Sequence, residues 1–140
     1  MLGRTVAFTI LVSALAAGTA FAQSCLHGPG ETAEQAARRG DALFAARLIL
    51  TLEFNQPGAS SRRFLAYEEL AQSYAADTHS GDSGIRISLR PGTEVLPKWK
   101  FSLDVTPSGF WFMIKDLADP CGFAYISNQE SVIFRSEPIR

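Results

Sequence analysis

Residues 99–114 read WKFSLDVTPSGFWFMI, and their period decides the fold. Trp99, Phe101, Leu103 and Val105 alternate with Lys100, Ser102 and Asp104, the two-residue period of a strand whose faces meet different surroundings. Thr106-Pro107-Ser108-Gly109 carries turn chemistry. Phe110–Ile114 then follows as an unbroken apolar run, the pattern of a strand covered on both faces. The C-terminal half is therefore expected to be a sheet.

Downstream, Lys115–Pro120 turns the chain. Two further strands are expected over Gly122–Ile126 and Val132–Phe134, joined by Ser127–Ser131, SNQES. Upstream, Ile85–Leu89 alternates in strand fashion, and Arg90–Pro97 interrupts it with two prolines. Ala75–Gly84, AADTHSGDSG, is small and polar, the composition of an exposed loop.

The N-terminal half has a helical period. Glu31–Phe54 reads as one long helix, with Thr32 as N-cap and Gln35 completing a capping box. Ala33, Ala36, Ala37, Phe44 and Leu48 fall at helical spacing and define a face. Gly40, unfavourable in a helix interior, points to close packing. From Ala42 onward the helix is apolar almost all round apart from Arg47 and Glu53, as in a helix buried on more than one side. Pro57-Gly58 ends it, and Phe64, Leu65 and Leu70 mark a short second helix within Arg62–Tyr74. The expected fold is α+β: one long N-terminal helix packed on a four-strand antiparallel meander sheet, with a short second helix and a loop between them.

The first 22 residues have a different character. Arg4 precedes the uncharged apolar run Thr5–Gly18, and Ala20-Phe21-Ala22 is a small-x-small cleavage signal. This is the layout of a secretory signal peptide cut between Ala22 and Gln23, which leaves residues 23–140 as a single α+β domain in the periplasm or outside the cell. The alternative is a membrane anchor, since Thr5–Ala22 is just long enough to span a bilayer if left uncleaved. A lipidated Cys25 is poorly served by the preceding Ala22-Gln23-Ser24.

Cys25 and Cys121 are the only cysteines, and two cysteines in an exported chain are most simply joined as a disulfide. The competing arrangement is a zinc site recruiting His27 and His79, whose spacing matches no finger pattern. With 46% hydrophobic and 19% charged residues the chain is globular rather than disordered. Its net charge of −1 gives no basic surface for nucleic acid. Arg38-Arg39 and Arg62-Arg63 are isolated pairs that read as solvated faces.

Motifs that carry chemistry are sparse. Gly81-Asp82-Ser83-Gly84 echoes a serine-protease nucleophile segment, but nothing orients a base and an acid around Ser83. Arg39-Gly40-Asp41 spells an adhesion tripeptide inside an expected helix. Glu68-Glu69, and Asp116 with Asp119, read as surface carboxylates flanking turns. No phosphate loop or metal motif calls for a cofactor. Trp99, Phe101, Phe110, Trp111, Phe112, Phe123 and Tyr125 read mainly as core, but alternation sets Trp111 opposite Phe110 and Phe112, where it can contact a partner.

WKFSLDV, SGFWFMIKDLADP and GFAYISNQESVIF, preceded by the helix segment ARLILTLEF, resemble in order the globular head of type IV pilin-like and pseudopilin-like proteins. The resemblance spans Ala33 to Phe134. It implies a long helix backing a four-strand sheet, and binding or assembly rather than catalysis. Phe8-Thr9-Ile10-Leu11-Val12 echoes the start of a pilin, but Ala7 stands where the cleavage glycine belongs and Val12 where the glutamate belongs. Only the head, not filament assembly, is implied. The expectation is a disulfide-stabilised, soluble pilin-head-like module for a protein or envelope partner, with no membrane contact after signal cleavage. The alternative is a small extracytoplasmic enzyme or enzyme inhibitor.

Overall fold

The computed structural model describes residues 25–55, 63–76 and 84–137. The Ala22–Gln23 junction, Pro57-Gly58, Arg62, His79 and Gly81–Ser83 lie outside them. Helix α1 spans Ala33–Phe54 and opens with the capping box: the Thr32 hydroxyl accepts from the Gln35 N–H, and Gln35 reaches back to the Thr32 N–H. Its buried face is Ala42, Ala45, Ala46, Ile49, Leu52 and Glu53, with Leu50 beside them. At 3.6 residues per turn these positions fall within roughly half the helix circumference. The helix thus buries one broad face rather than several, and the face is not the expected one. Ala33 and Ala37 are exposed, and Phe44 and Leu48 are only half-buried, Leu48 packing against the core from the margin of the buried face. Small Ala42, Ala45 and Ala46 let the helix lie close to the sheet, so packing selects the alanine stripe over the larger side chains. Gly40 is exposed with open space where a Cβ would stand, so close packing does not account for it.

Helix α2, Tyr67–Ala76, begins later than its apolar pattern suggested and buries Leu70 fully. Just ahead of it Leu65 is buried, its N–H bound to Glu53 Oε2 at 3.0 Å, and Phe64 packs against Phe110. Glu53 is thus a buried side chain rather than a break in the apolar face. Burial raises its pKa, and the Leu65 N–H only partly offsets that.

The sheet has five strands, not four, all antiparallel and in the order β1-β2-β3-β4-β5: Glu94–Leu96, Trp99–Thr106, Gly109–Asp116, Ala124–Asn128 and Phe134–Ser136. The extra strand, β1, lies in the proline-flanked stretch that seemed to interrupt the sheet. Ile85–Leu89 forms no strand. It buries Ile87 and Leu89, but the Arg90–Thr93 turn folds it back so that Ser88 N–H to the Val95 carbonyl joins the two segments. The hairpin of β2 and β3 runs in register from Trp99 opposite Asp116 to Thr106 opposite Gly109. The last strand sits two residues later than Val132–Phe134, because Ser127–Ser131 turns through a left-handed Ser131 and Val132 gives its carbonyl to the Ser127 hydroxyl.

Phe110, Phe112, Ile114 and Asp116 point to the helices, while Trp111 and Lys115 point away and Met113 is half-buried. The FWFMI run is therefore covered on one face among the described residues, not both. At the β1 side of the sheet, Tyr67 takes the place of a neighbouring strand. Its hydroxyl accepts the Leu103 N–H at 2.8 Å and lies 3.4 Å from the Phe101 carbonyl, satisfying main-chain groups beyond the end of short β1. Among the described residues no helix is long and apolar enough to cross a membrane.

Candidate functional site

Ionisable side chains gather where the N-terminal segment meets the β3–β4 connection. Three successive residues are fastened there by three kinds of bond. Cys25 is disulfide-bonded to Cys121, with Cα atoms 5.2 Å apart. The Leu26 N–H donates to Asp119 Oδ1 at 2.8 Å. His27 Nε2 lies 2.9 Å from Asp116 Oδ2. The connection that receives them is shaped by the same two aspartates. Asp116 Oδ1 accepts from the Ala118 N–H, and Asp119 accepts from the N–H groups of Cys121 and Phe123. Each carboxylate thus closes a local turn and holds the distant N-terminal segment.

His27 is the centre of this clasp. Its Nδ1 is 2.7 Å from Glu31 Oε1, and its ring lies against Phe123 with centroids 4.5 Å apart. Arg39 forks onto both Glu31 oxygens, and Arg38 Nη2 bridges both Asp116 oxygens while its guanidinium lies over the Trp99 ring. His27, Arg38 and Arg39 face Glu31, Asp116 and Asp119, so basic and acidic side chains alternate through the cluster. Asp116 is fully buried and Asp119 nearly so. These are not the surface carboxylates their turn-rich setting suggested, and Arg38 and Arg39 are not a solvated pair. A buried aspartate persists because each oxygen has a donor.

The surroundings set the acidities. The Arg39 hydrogen bond, opposed by burial and aided by His27, lowers the Glu31 carboxyl from an ordinary 4.5 to about 2. Burial pushes Asp119 up, but the N–H groups of Leu26, Phe123 and Cys121, with the His27 field, outweigh it and leave the pKa low. A carboxyl depressed in the folded state contributes stability that is complete above its unfolded pKa and lost as pH falls through the folded one. For Glu31 that window runs from about 4.5 down to about 2. Glu31→Gln should therefore be less stable than the parent at neutral pH, and the gap should close on acidification across that window. Urea unfolding at a series of pH values measures this; a gap that stays constant would show that Glu31 is not held by its cations.

Chemically, the arrangement holds its imidazole rather than presenting it. Both ring nitrogens are engaged by carboxylates, and the ring is almost wholly enclosed. The disulfide uses both thiols that a zinc site would have recruited.

A second feature lies on the far side of Arg39. A groove of about 870 Å³ runs between α1 and β5. Its helix wall is a single stripe that includes Arg39, Leu43, Arg47 and Leu50, and its sheet wall includes Ile133, Phe134 and Arg135. No carboxylate lines it. Arg135 pairs with exposed Glu137, Arg39 with Glu31, and Arg47 has no ion-pair partner among the described residues. Phe134 is half exposed. The spacing of Arg39, Leu43 and Arg47, four residues apart, was a legible signal, but it gained meaning only once an edge strand stood opposite.

Trp111 lies on the outer sheet face, 44% exposed, with its indole N–H donating to Asp104 across the β2–β3 hairpin at 3.1 Å. It stands apart from both the clasp and the helix side of the sheet.

No family model, curated protein or solved structure matches the chain.

Proposed function

We propose that this chain is a small exported, disulfide-stabilised binding or assembly module, a soluble pilin-head-like protein acting in the periplasm or outside the cell after cleavage between Ala22 and Gln23. The observation that carries the reading is the α1–β5 groove, about 870 Å³ and lined by arginines and apolar side chains without a carboxylate. Ligand sites are concave and mostly apolar, with a few charged groups that orient the ligand. The disulfide supports an oxidising compartment. The element order, a long helix followed by an antiparallel sheet whose neighbours are consecutive, supports the pilin-head resemblance. The enzyme or inhibitor alternative draws on His27, which borders a smaller hollow of about 270 Å³ with Glu31 and Arg39. Hydrogen bonds on both ring nitrogens weigh against it.

Anilinonaphthalene sulfonate, an anionic aromatic dye, tests the groove. The native protein should enhance its fluorescence. An Arg47→Glu/Arg135→Glu variant with an unchanged far-ultraviolet spectrum should lose most of that enhancement, whereas Trp111→Ser should keep it. No enhancement by the native protein would overturn the groove as the binding surface. Loss in Trp111→Ser alone would move the site to the outer sheet face.

A further inference from the structure

We infer that the α1–β5 groove receives an extended acidic peptide, which adds to β5 as a sixth strand. This rests on the binding-module reading and names the partner of the same site. The walls are of two kinds, a helix on one side and an end strand on the other. No described strand lies beyond β5, so its outer main-chain edge is unpaired among the described strands, and Ile133, Phe134 and Arg135 also line the groove. An exposed edge offers a row of N–H and C=O groups that pairs with any extended chain. Strand β5 is only three residues long and, unlike β2 with its Tyr67 hydroxyl, has no side chain capping its edge among the described hydrogen bonds.

Length and charge narrow the occupant. The helix wall from Arg39 to Thr51 extends about 18 Å at 1.5 Å per residue. At about 3.3 Å per residue an extended peptide covers it with five or six residues. Arg135 is the register partner of buried Tyr125 and so shares the helix-facing side of the sheet, and it lines the groove together with Arg47. A strand laid between them turns alternate side chains to the helix, where carboxylates meet Arg47 and Arg135. Leu43 and Leu50 line the same wall and suit apolar side chains. An acyl-chain anion would satisfy the arginines and the apolar wall but would leave the β5 edge unused.

The test is displacement of the bound dye by four acetylated, amidated five-residue peptides. One alternates valine and glutamate, one alternates valine and lysine, and two are the glutamate peptide N-methylated at one or the other set of alternate amides. The glutamate peptide should displace the dye, and the lysine peptide should not. One of the two N-methylation registers should weaken displacement by about tenfold or more, since it removes a main-chain donor to the edge. Arg47→Glu should weaken the glutamate peptide by a similar factor. Dye binding that decanoate displaces and no peptide does would overturn the peptide while leaving the groove a binding site. Equal displacement by both N-methylated registers and the parent would overturn strand addition. Absence of dye binding by the native protein would instead remove the binding-module reading itself.

Discussion

Asp116→Ala is expected to destabilise the domain by about 3–5 kcal/mol, the range for removing one partner of a buried ion pair. Domains of this size have only about 5–15 kcal/mol of stability in all. The fully buried carboxylate takes four hydrogen bonds, from His27, the Ala118 N–H and, through both oxygens, Arg38. The consequences for its two basic partners differ. Arg38 keeps about a third of its side chain exposed, at 29%, and can turn to water. His27, at 2%, cannot, so its Nε2 is left facing the space the carboxylate filled. Most of the loss therefore comes from the stranded imidazole, and a second substitution should recover part of it. His27→Leu combined with Asp116→Ala should be less destabilised than the sum of the single variants by about 1–3 kcal/mol, the coupling found between groups in one network. Denaturant midpoints at constant m give both numbers. Strictly additive effects would show that the clasp is a collection of separate contacts rather than a unit.

What the sequence showed and what it hid divide by distance along the chain. The Thr32–Gln35 capping box needs two residues three apart, and the structure has it. The WKFSLDV alternation is equally local, and β2 follows it. FWFMI misled because Trp111 and Met113 are apolar yet face away from the helices; residue type shows what can be buried, not which layer is present to bury it. The helix face was misread for a related reason. Close approach to the sheet selects Ala42, Ala45 and Ala46 for their small size, and a period built on larger residues passes over them.

The clasp was hidden because its partners are far apart. Asp116 and Asp119 meet residues 78 to 93 positions away, and within their own stretch they look like ordinary turn aspartates. Two clues were present: a histidine two residues after one cysteine, and an aspartate two residues before the other. Only the disulfide and a competing zinc site were drawn from them. Once Cys25 is placed beside Cys121, Leu26 and His27 necessarily fall near residues 116–119. A disulfide inferred from cysteine count is thus also a constraint on its neighbours, and the polar residues flanking both ends were the ones to pair.

The disulfide itself should have the other large effect. It joins residues 96 apart, and constraining so long a loop in the unfolded chain stabilises the fold by about 4–5 kcal/mol in the chain-entropy model. Cys25→Ser/Cys121→Ser should therefore lower the unfolding free energy by about 4 kcal/mol. The m-value should rise, because the uncrosslinked unfolded chain exposes more surface. The native clasp should survive, since Asp119 and Asp116 still receive the Leu26 N–H and His27. Hydrogen exchange separates the two contributions. In the double serine variant the Leu26 amide should remain protected nearly to the reduced global stability. If it exchanges freely while the sheet amides stay protected, the sulfur bridge alone holds the N-terminal segment and the carboxylates merely decorate it. Two free thiols in the native protein would remove the bridge, and with it the reason residues 25–27 lie against the β3–β4 connection.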